Sequence, residues 1–77
     1  MDNNAHMIDT ETNRQAHEIL KGRELFVFLA LNGTPFQEKC SMDEVAKVFG
    51  LTRERIRQIF ANAKKKMEKG LRLEGYM

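Results

Sequence analysis

A short segment in the second half of the chain carries five long polar side chains within six residues, and four of these could share one helical face. In a DNA major groove, a guanidinium group can pair with guanine, a carboxylate with the amino group of cytosine, and a carboxamide with adenine. Lysines further along the same segment could contact phosphates and complement a helix C-terminus. The candidate residues are Arg53, Glu54, Arg57 and Gln58 for bases, and Lys64 and Lys65 for phosphates.

If this segment is helical, its residues separate into two faces at about 100° per residue. Apolar residues fall on one side, as in a helix that packs on a core, and all the polar candidates fall on the other. A solvated helix surface would show the same pattern, but the residue types favour DNA binding, because helix-turn-helix proteins contact bases with the beginning of their second helix. The apolar face consists of Ile56, Ile59, Phe60, Ala63 and Met67.

Two capping signals around one glycine predict a helix-turn-helix over residues 41–69. Ser41 followed by Glu44 is a capping box that begins a short helix, and Gly50 suits the left-handed conformation that ends it. Thr52 can cap the next helix, which we expect to end at Gly70. The short helix has the predicted apolar stripe Val45, Ala46, Val48 and Phe49, and Leu51 is expected to point inward.

Two more helices are predicted upstream, at Asp9–Leu20 and Arg23–Asn32. The second contains seven consecutive apolar residues, which alone would indicate a buried strand. We favour a helix because Leu, Ala and Phe outnumber β-branched residues and because Asn32 and Gly33 form a helix stop. Residues 34–40 are predicted to be a loop in which Phe36 folds back onto the core.

The predicted fold is therefore all-α, a single four-helix domain over residues 9–70 with a C-terminal helix-turn-helix and no wing. Residues 1–8 are expected to be disordered or vector-derived, and residues 71–77 to form a tail. A chain of 77 residues has room for one small core.

Composition argues against several other functions. There is no Gly-rich phosphate loop, no metal-ligand cluster and no nucleophile with a His partner, so we expect no enzyme activity, no metal and no cofactor. No apolar run approaches the length of a membrane span, and the single Cys40 suits a reducing cytoplasm. Net charge is only +2, but most Lys and Arg lie in the C-terminal third, which favours an anionic partner at that end.

Two runs, Asp43–Lys47 and Gly50–Ile59, closely resemble the promoter-binding helix-turn-helix in region four of bacterial primary-type sigma factors, and a less specific likeness extends from Gln15 to Gly70. The resemblance implies that Arg53, Glu54 and Gln58 contact bases of the minus-thirty-five promoter element, with Arg57 on bases or phosphate. The family's later basic positions correspond to Lys65 and Lys66. The full candidate DNA-binding set is Thr52, Arg53, Glu54, Arg57, Gln58, Lys64 and Lys65.

The resemblance also implies a second partner, the flap of the RNA polymerase β subunit. It further implies that the protein acts in the cytoplasm, at the bacterial nucleoid. The apolar helix at residues 23–32 could be a central core helix, or its surplus apolar surface could bind this partner. The same surface could instead support a homodimeric repressor, or a module that binds polymerase or a sigma factor with little DNA binding. Since a sigma factor also needs a separate part that opens the promoter, we expect either an excised domain or a free-standing regulator, for example from a phage or mobile element. The candidate contacts are Leu25, Phe26, Phe28 and Leu29.

Overall fold

The computed structural model describes the backbone of residues 8–76 and the side chains of residues 8–70. Within that part of the chain the regular elements are all helices, and one isolated bridge joins Thr34 to Gln37. The predicted all-α, four-helix fold is confirmed. The helices are α1 (Thr10–Ile19), α2 (Gly22–Asn32), α3 (Met42–Phe49) and α4 (Arg53–Tyr76).

The turn between α3 and α4 is built as the capping signals predict. The Glu44 N–H donates to Ser41 Oγ at 3.1 Å, and the Ser41 N–H donates to Glu44 Oε1 at 2.9 Å. Gly50 ends α3 in the left-handed conformation at φ 68°, which other residues adopt at a cost. The Arg55 N–H then donates to Thr52 Oγ1 at 3.1 Å, which caps α4. These local bonds fix where α3 ends and where α4 begins.

The upstream helices also begin and end close to the predicted residues. Asp9 caps α1 by accepting the Thr12 N–H at 2.8 Å. The apolar run lies in α2 and not in a strand, and Gly33 ends that helix with φ 80°. At Gly33 a Cβ would lie 3.1 Å from Lys39, so glycine also permits the loop to approach the helix end closely.

The interior consists of two apolar clusters that share one aromatic ring. The first lies between α2, α3 and α4, and the second between α1, α2 and α4. Phe60 packs against both, which explains its place on the apolar face of α4. The buried residues are Val27, Ala30, Val45, Ala46, Ile56 and Ile59 in the first cluster, and Ala16, Leu20, Phe28, Ala63 and Met67 in the second.

Two apolar residues predicted to be inside are on the surface. Phe36 is 76% exposed, because residues 34–37 form a tight turn in which the Thr34 N–H donates to Gln37 O at 2.9 Å. Thr34 is buried in its place, and its Oγ1 accepts the Phe36 N–H at 3.0 Å. Val48 is 69% exposed, because the buried stripe of α3 runs through Val45 and Ala46 and leaves it on the far side.

The prediction that Gly70 ends the last helix is wrong, since α4 continues to Tyr76. Gly70 instead lies where α4 passes α1, and a Cβ there would be 2.6 Å from Ile19 Cδ1. The predicted tail at 71–77 is therefore helical in backbone through Tyr76. The expectation of disorder for residues 1–8 falls outside the described residues except at Ile8, which packs against the second cluster and whose N–H donates to Gly33 O at 3.3 Å.

Candidate nucleic-acid interface

One side of α4 brings the predicted base-contacting residues together on the surface. Turning by about 100° per residue, α4 buries Ile56, Ile59, Ala63 and Met67 and leaves the opposite side in solvent. All seven candidate side chains are exposed, and they occupy the beginning and middle of the helix. The exposed set is Thr52, Arg53, Glu54, Arg57, Gln58, Lys64 and Lys65.

Glu54 and Arg57 form a two-point ion pair on this surface. Arg57 Nε donates to Glu54 Oε1 at 3.0 Å, and Arg57 Nη2 donates to Glu54 Oε2 at 2.5 Å. Gln58 Nε2 lies 3.5 Å from the same Oε2. The hydrogen bonds from Arg57 lower the pKa of Glu54, and the same bonds raise the pKa of Arg57. Glu54 thus stays ionised below the usual carboxyl range, and Arg57 has its charge balanced before any DNA is bound.

Arg53 is paired in a different way, with a residue of the preceding helix. Its Nε lies 3.1 Å from Oδ1 of Asp43, in the first turn of α3. Asp43 was not among the predicted site residues. The available signal was an acidic residue in the opening turn of α3, which a helix-turn-helix brings close to the start of α4.

The three consecutive lysines of α4 have different surroundings. Lys64 Nζ lies over the ring of Phe60, 5.3 Å from its centroid, whereas Lys65 is exposed. Lys66 Nζ bonds to Glu24 Oε1 of α2 at 2.9 Å. Lys64 and Lys65 are therefore on the solvent side of the helix, while Lys66 joins α4 to α2.

A basic cleft lies beside this surface, where the beginning of α2 meets α4. It measures about 320 Å³. Arg55, which extends from α4 into the lining, also places Nη1 3.5 Å from Gln58 Oε1. No sequence pattern indicates this cleft, because its cations come from segments about thirty residues apart. The lining residues are Lys21, Arg23, Glu24, Arg55, Ile59 and Asn62.

The candidate partner residues of α2 divide into two groups. Phe26 is 47% exposed, and its ring meets Phe49 edge-on with centroids 5.2 Å apart. Leu25 and Leu29 are half-buried against the second cluster. Phe28 is only 6% exposed and packs beside Phe60, so it belongs to the core and is not accessible to a partner. The expectation that all four contact a partner is corrected at Phe28.

The two helices α3 and α4, joined by a tight turn and with an exposed polar face on α4, define a helix-turn-helix domain. Comparison with protein families matches the model of sigma-70, region 4, over residues 15–69. The match covers more than half of the chain, which therefore belongs to the sigma-70 region 4 family. Members of this family are DNA-binding domains of transcription and interact in general with DNA and RNA polymerase. Searches of curated proteins and of solved structures gave no match.

Two further observations concern the described part of the chain only. No group of three or more His, Cys, Asp or Glu side chains there is arranged to hold a metal ion. No helix among those residues is long and apolar enough to cross a membrane.

Proposed function

We propose that this domain recognises a minus-thirty-five-like promoter element through the first turns of α4. The observation that carries the proposal is the exposed polar face of α4, directly opposite the face that anchors the helix in both clusters. Arg53, Glu54 and Gln58 contact base edges, and Arg57 contacts a base or a phosphate. These are the side-chain types that recognise guanine, cytosine and adenine in the major groove.

Phosphate contacts supply affinity on either side of these base contacts. Lys64 and Lys65 are exposed on the same face as the base-contacting residues, and Thr52 is exposed at the residue before α4. Arg23 and Arg55, in the neighbouring basic cleft, extend the positive surface toward α2. Because each phosphate contact releases counterions, affinity falls steeply as salt rises, whereas preference for one sequence depends on the base contacts.

The test is a titration of labelled duplexes with and without a minus-thirty-five-like hexamer at several salt concentrations. Arg53→Ala and Gln58→Ala should each reduce the preference for the hexamer by roughly 5- to 150-fold, the range for one bidentate base contact. Arg14→Ala is the matched control, because Arg14 is exposed on α1 and bonds to Glu18. If both α4 variants keep the affinity and preference of the control, the base contacts are assigned wrongly.

The apolar surface of α2 supports a contact with the β flap of RNA polymerase. Leu25, Phe26 and Leu29 lie within about 100° of one another on the outward side of α2. Phe26→Glu should abolish capture of the flap while the helical circular dichroism signal is retained. Phe36→Glu is the control, since it makes the same change at an exposed ring in the loop. If Phe26→Glu, Phe36→Glu and the unaltered domain all capture the flap equally well, Phe26 is not part of the contact.

Exposure of Phe26 also favours a second candidate function, a homodimeric repressor that recognises two half-sites. Sedimentation at micromolar concentration distinguishes the repressor from the monomeric promoter-binding domain. A dimer that dissociates when Phe26 is replaced by Glu supports the repressor. A domain that captures polymerase or a sigma factor, yet shows no sequence preference on DNA, would instead be a protein-interaction module.

A further inference from the structure

An ion pair joins α3 to the first residue of α4, yet it contributes little to the stability of the fold. The carboxylate of Asp43 is 3.1 Å from Arg53 Nε, and the two side chains are 74% and 69% exposed. Ion pairs so open to solvent are screened and contribute little to folding. Their effect must be sought in the orientation of the side chains.

Both partners extend from backbone positions that are held by caps. Asp43 lies within the capping box formed by Ser41 and Glu44. Arg53 follows Thr52, whose hydroxyl caps α4. The turn therefore sets the distance between the Cα atoms of Asp43 and Arg53. The ion pair restricts the torsion angles of their side chains.

The shortest N–O distance of the pair is at Arg53 Nε, the inner nitrogen of the guanidinium. The two terminal amino groups form the donor fork that matches O6 and N7 of guanine. Arg57 differs, because its terminal Nη2 donates to Glu54 in addition to its Nε. Arg53 is therefore the arginine whose closest ion-pair contact is not made through a terminal amino group.

We propose that Asp43 is a positioning residue that orients Arg53 for bidentate recognition of a guanine. This inference rests on the proposed function of α4 in sequence recognition. A side chain that is ordered before binding loses less conformational entropy when the complex forms. Asp43 itself contacts no base, and it acts through Arg53.

The experiment uses a duplex that the unaltered domain selects from a randomised pool. Each guanine of that duplex is replaced in turn by 7-deazaguanine, which lacks the N7 acceptor. The measured quantity is the ratio of affinities for the guanine and the 7-deazaguanine duplex. A change in general electrostatic attraction acts on both duplexes and cancels in this ratio.

At one guanine the ratio should fall to about one in Arg53→Ala. Asp43→Ala should lower the ratio at that same guanine by roughly 2- to 10-fold, which is the effect of one side chain ordered in advance. Asp43→Asn retains an acceptor oxygen and should give an intermediate ratio. Asp43→Ala in the Arg53→Ala background should have no further effect. The control Glu68→Ala removes the same charge from an exposed position of α4 and should leave the ratio unchanged.

Melting temperatures of the Asp43 variants should stay within about 5 °C of the unaltered domain, because the pair is exposed. An unchanged ratio in Asp43→Ala, while Arg53→Ala loses discrimination, overturns the role of Asp43 and leaves the proposed function intact. The role of Asp43 is also overturned if Asp43→Ala still lowers the affinity ratio in the Arg53→Ala background. Failure of the pool to yield any preferred sequence would instead refute the proposed function itself.

Discussion

Replacement of Glu54 by Gln should tighten binding to unrelated DNA and weaken the preference for the selected sequence. In the free domain the Glu54 carboxylate holds Nε and Nη2 of Arg57 at 3.0 and 2.5 Å. Glutamine has the same size but offers one acceptor oxygen and no charge, so Arg57 is released. A released guanidinium on this surface can contact a phosphate of any sequence.

The two effects have separate magnitudes. One additional phosphate contact steepens the slope of log K against log salt concentration by about 0.9 on any duplex. Replacement of the carboxylate by a neutral amide weakens the acceptor for the cytosine amino group and places an NH2 donor beside it, which costs about 1–3 kcal/mol of discrimination at one base pair. Affinity for unrelated DNA at low salt should therefore rise, while the ratio of selected to unrelated affinity should fall about 5- to 150-fold.

Fluorescence anisotropy with a selected and an unrelated duplex, each at several salt concentrations, measures both quantities. Glu68→Gln is the control, because it removes an equal charge from an exposed residue about 21 Å further along α4. The reasoning is refuted if Glu54→Gln weakens both duplexes in parallel. It is also refuted if Glu68→Gln steepens the slope by the same amount, since loss of charge alone would then account for the change.

Three further predictions concern the scaffold. Ile56→Ala should lower the free energy of unfolding by about 2–5 kcal/mol in chemical denaturation, because Ile56 is fully buried in the first cluster. Ser41→Ala should cost about 1 kcal/mol in the same assay, through loss of the cap on α3, whereas Lys47→Ala on the exposed side of α3 should change little. Gly70→Ala should fail to give the gain of about 1 kcal/mol typical of a helix interior, because its Cβ would meet Ile19, and Ile19→Ala in the same chain should restore that gain. A full gain from Gly70→Ala alone would show that the Ile19 side chain moves aside at little cost.

The parts of the fold that depend on neighbouring residues could be predicted from the sequence. The capping box at Ser41, the left-handed Gly50 and the cap at Thr52 each involve residues within a few positions along the chain, and all three are confirmed. The face of α4 follows from helical periodicity alone. Local bonds and a fixed angle per residue were sufficient for these features.

The errors at Gly70 and Phe28 concern contacts between distant segments, whereas the error at Phe36 concerns a local turn. Gly70 has the composition of a helix stop, but its role depends on Ile19, about fifty residues earlier. Burial of Phe28 depends on α1 and α4 covering it, and exposure of Phe36 depends on a turn closed by Thr34. The ion pair of Arg53 with Asp43 likewise needs the angle between two helices, which the sequence does not specify.

Among the residues that the structure describes, Phe60 is the ring that packs against both apolar clusters, and the two clusters involve different helices. Because α1 contributes to the second cluster alone, its release would leave α2, α3 and the first half of α4 in contact. Amide protons of α1 should then exchange with deuterium sooner than those of α3, at pH and temperature where the whole chain remains native. The helix-turn-helix can thus keep its shape while the end that contains α1 opens.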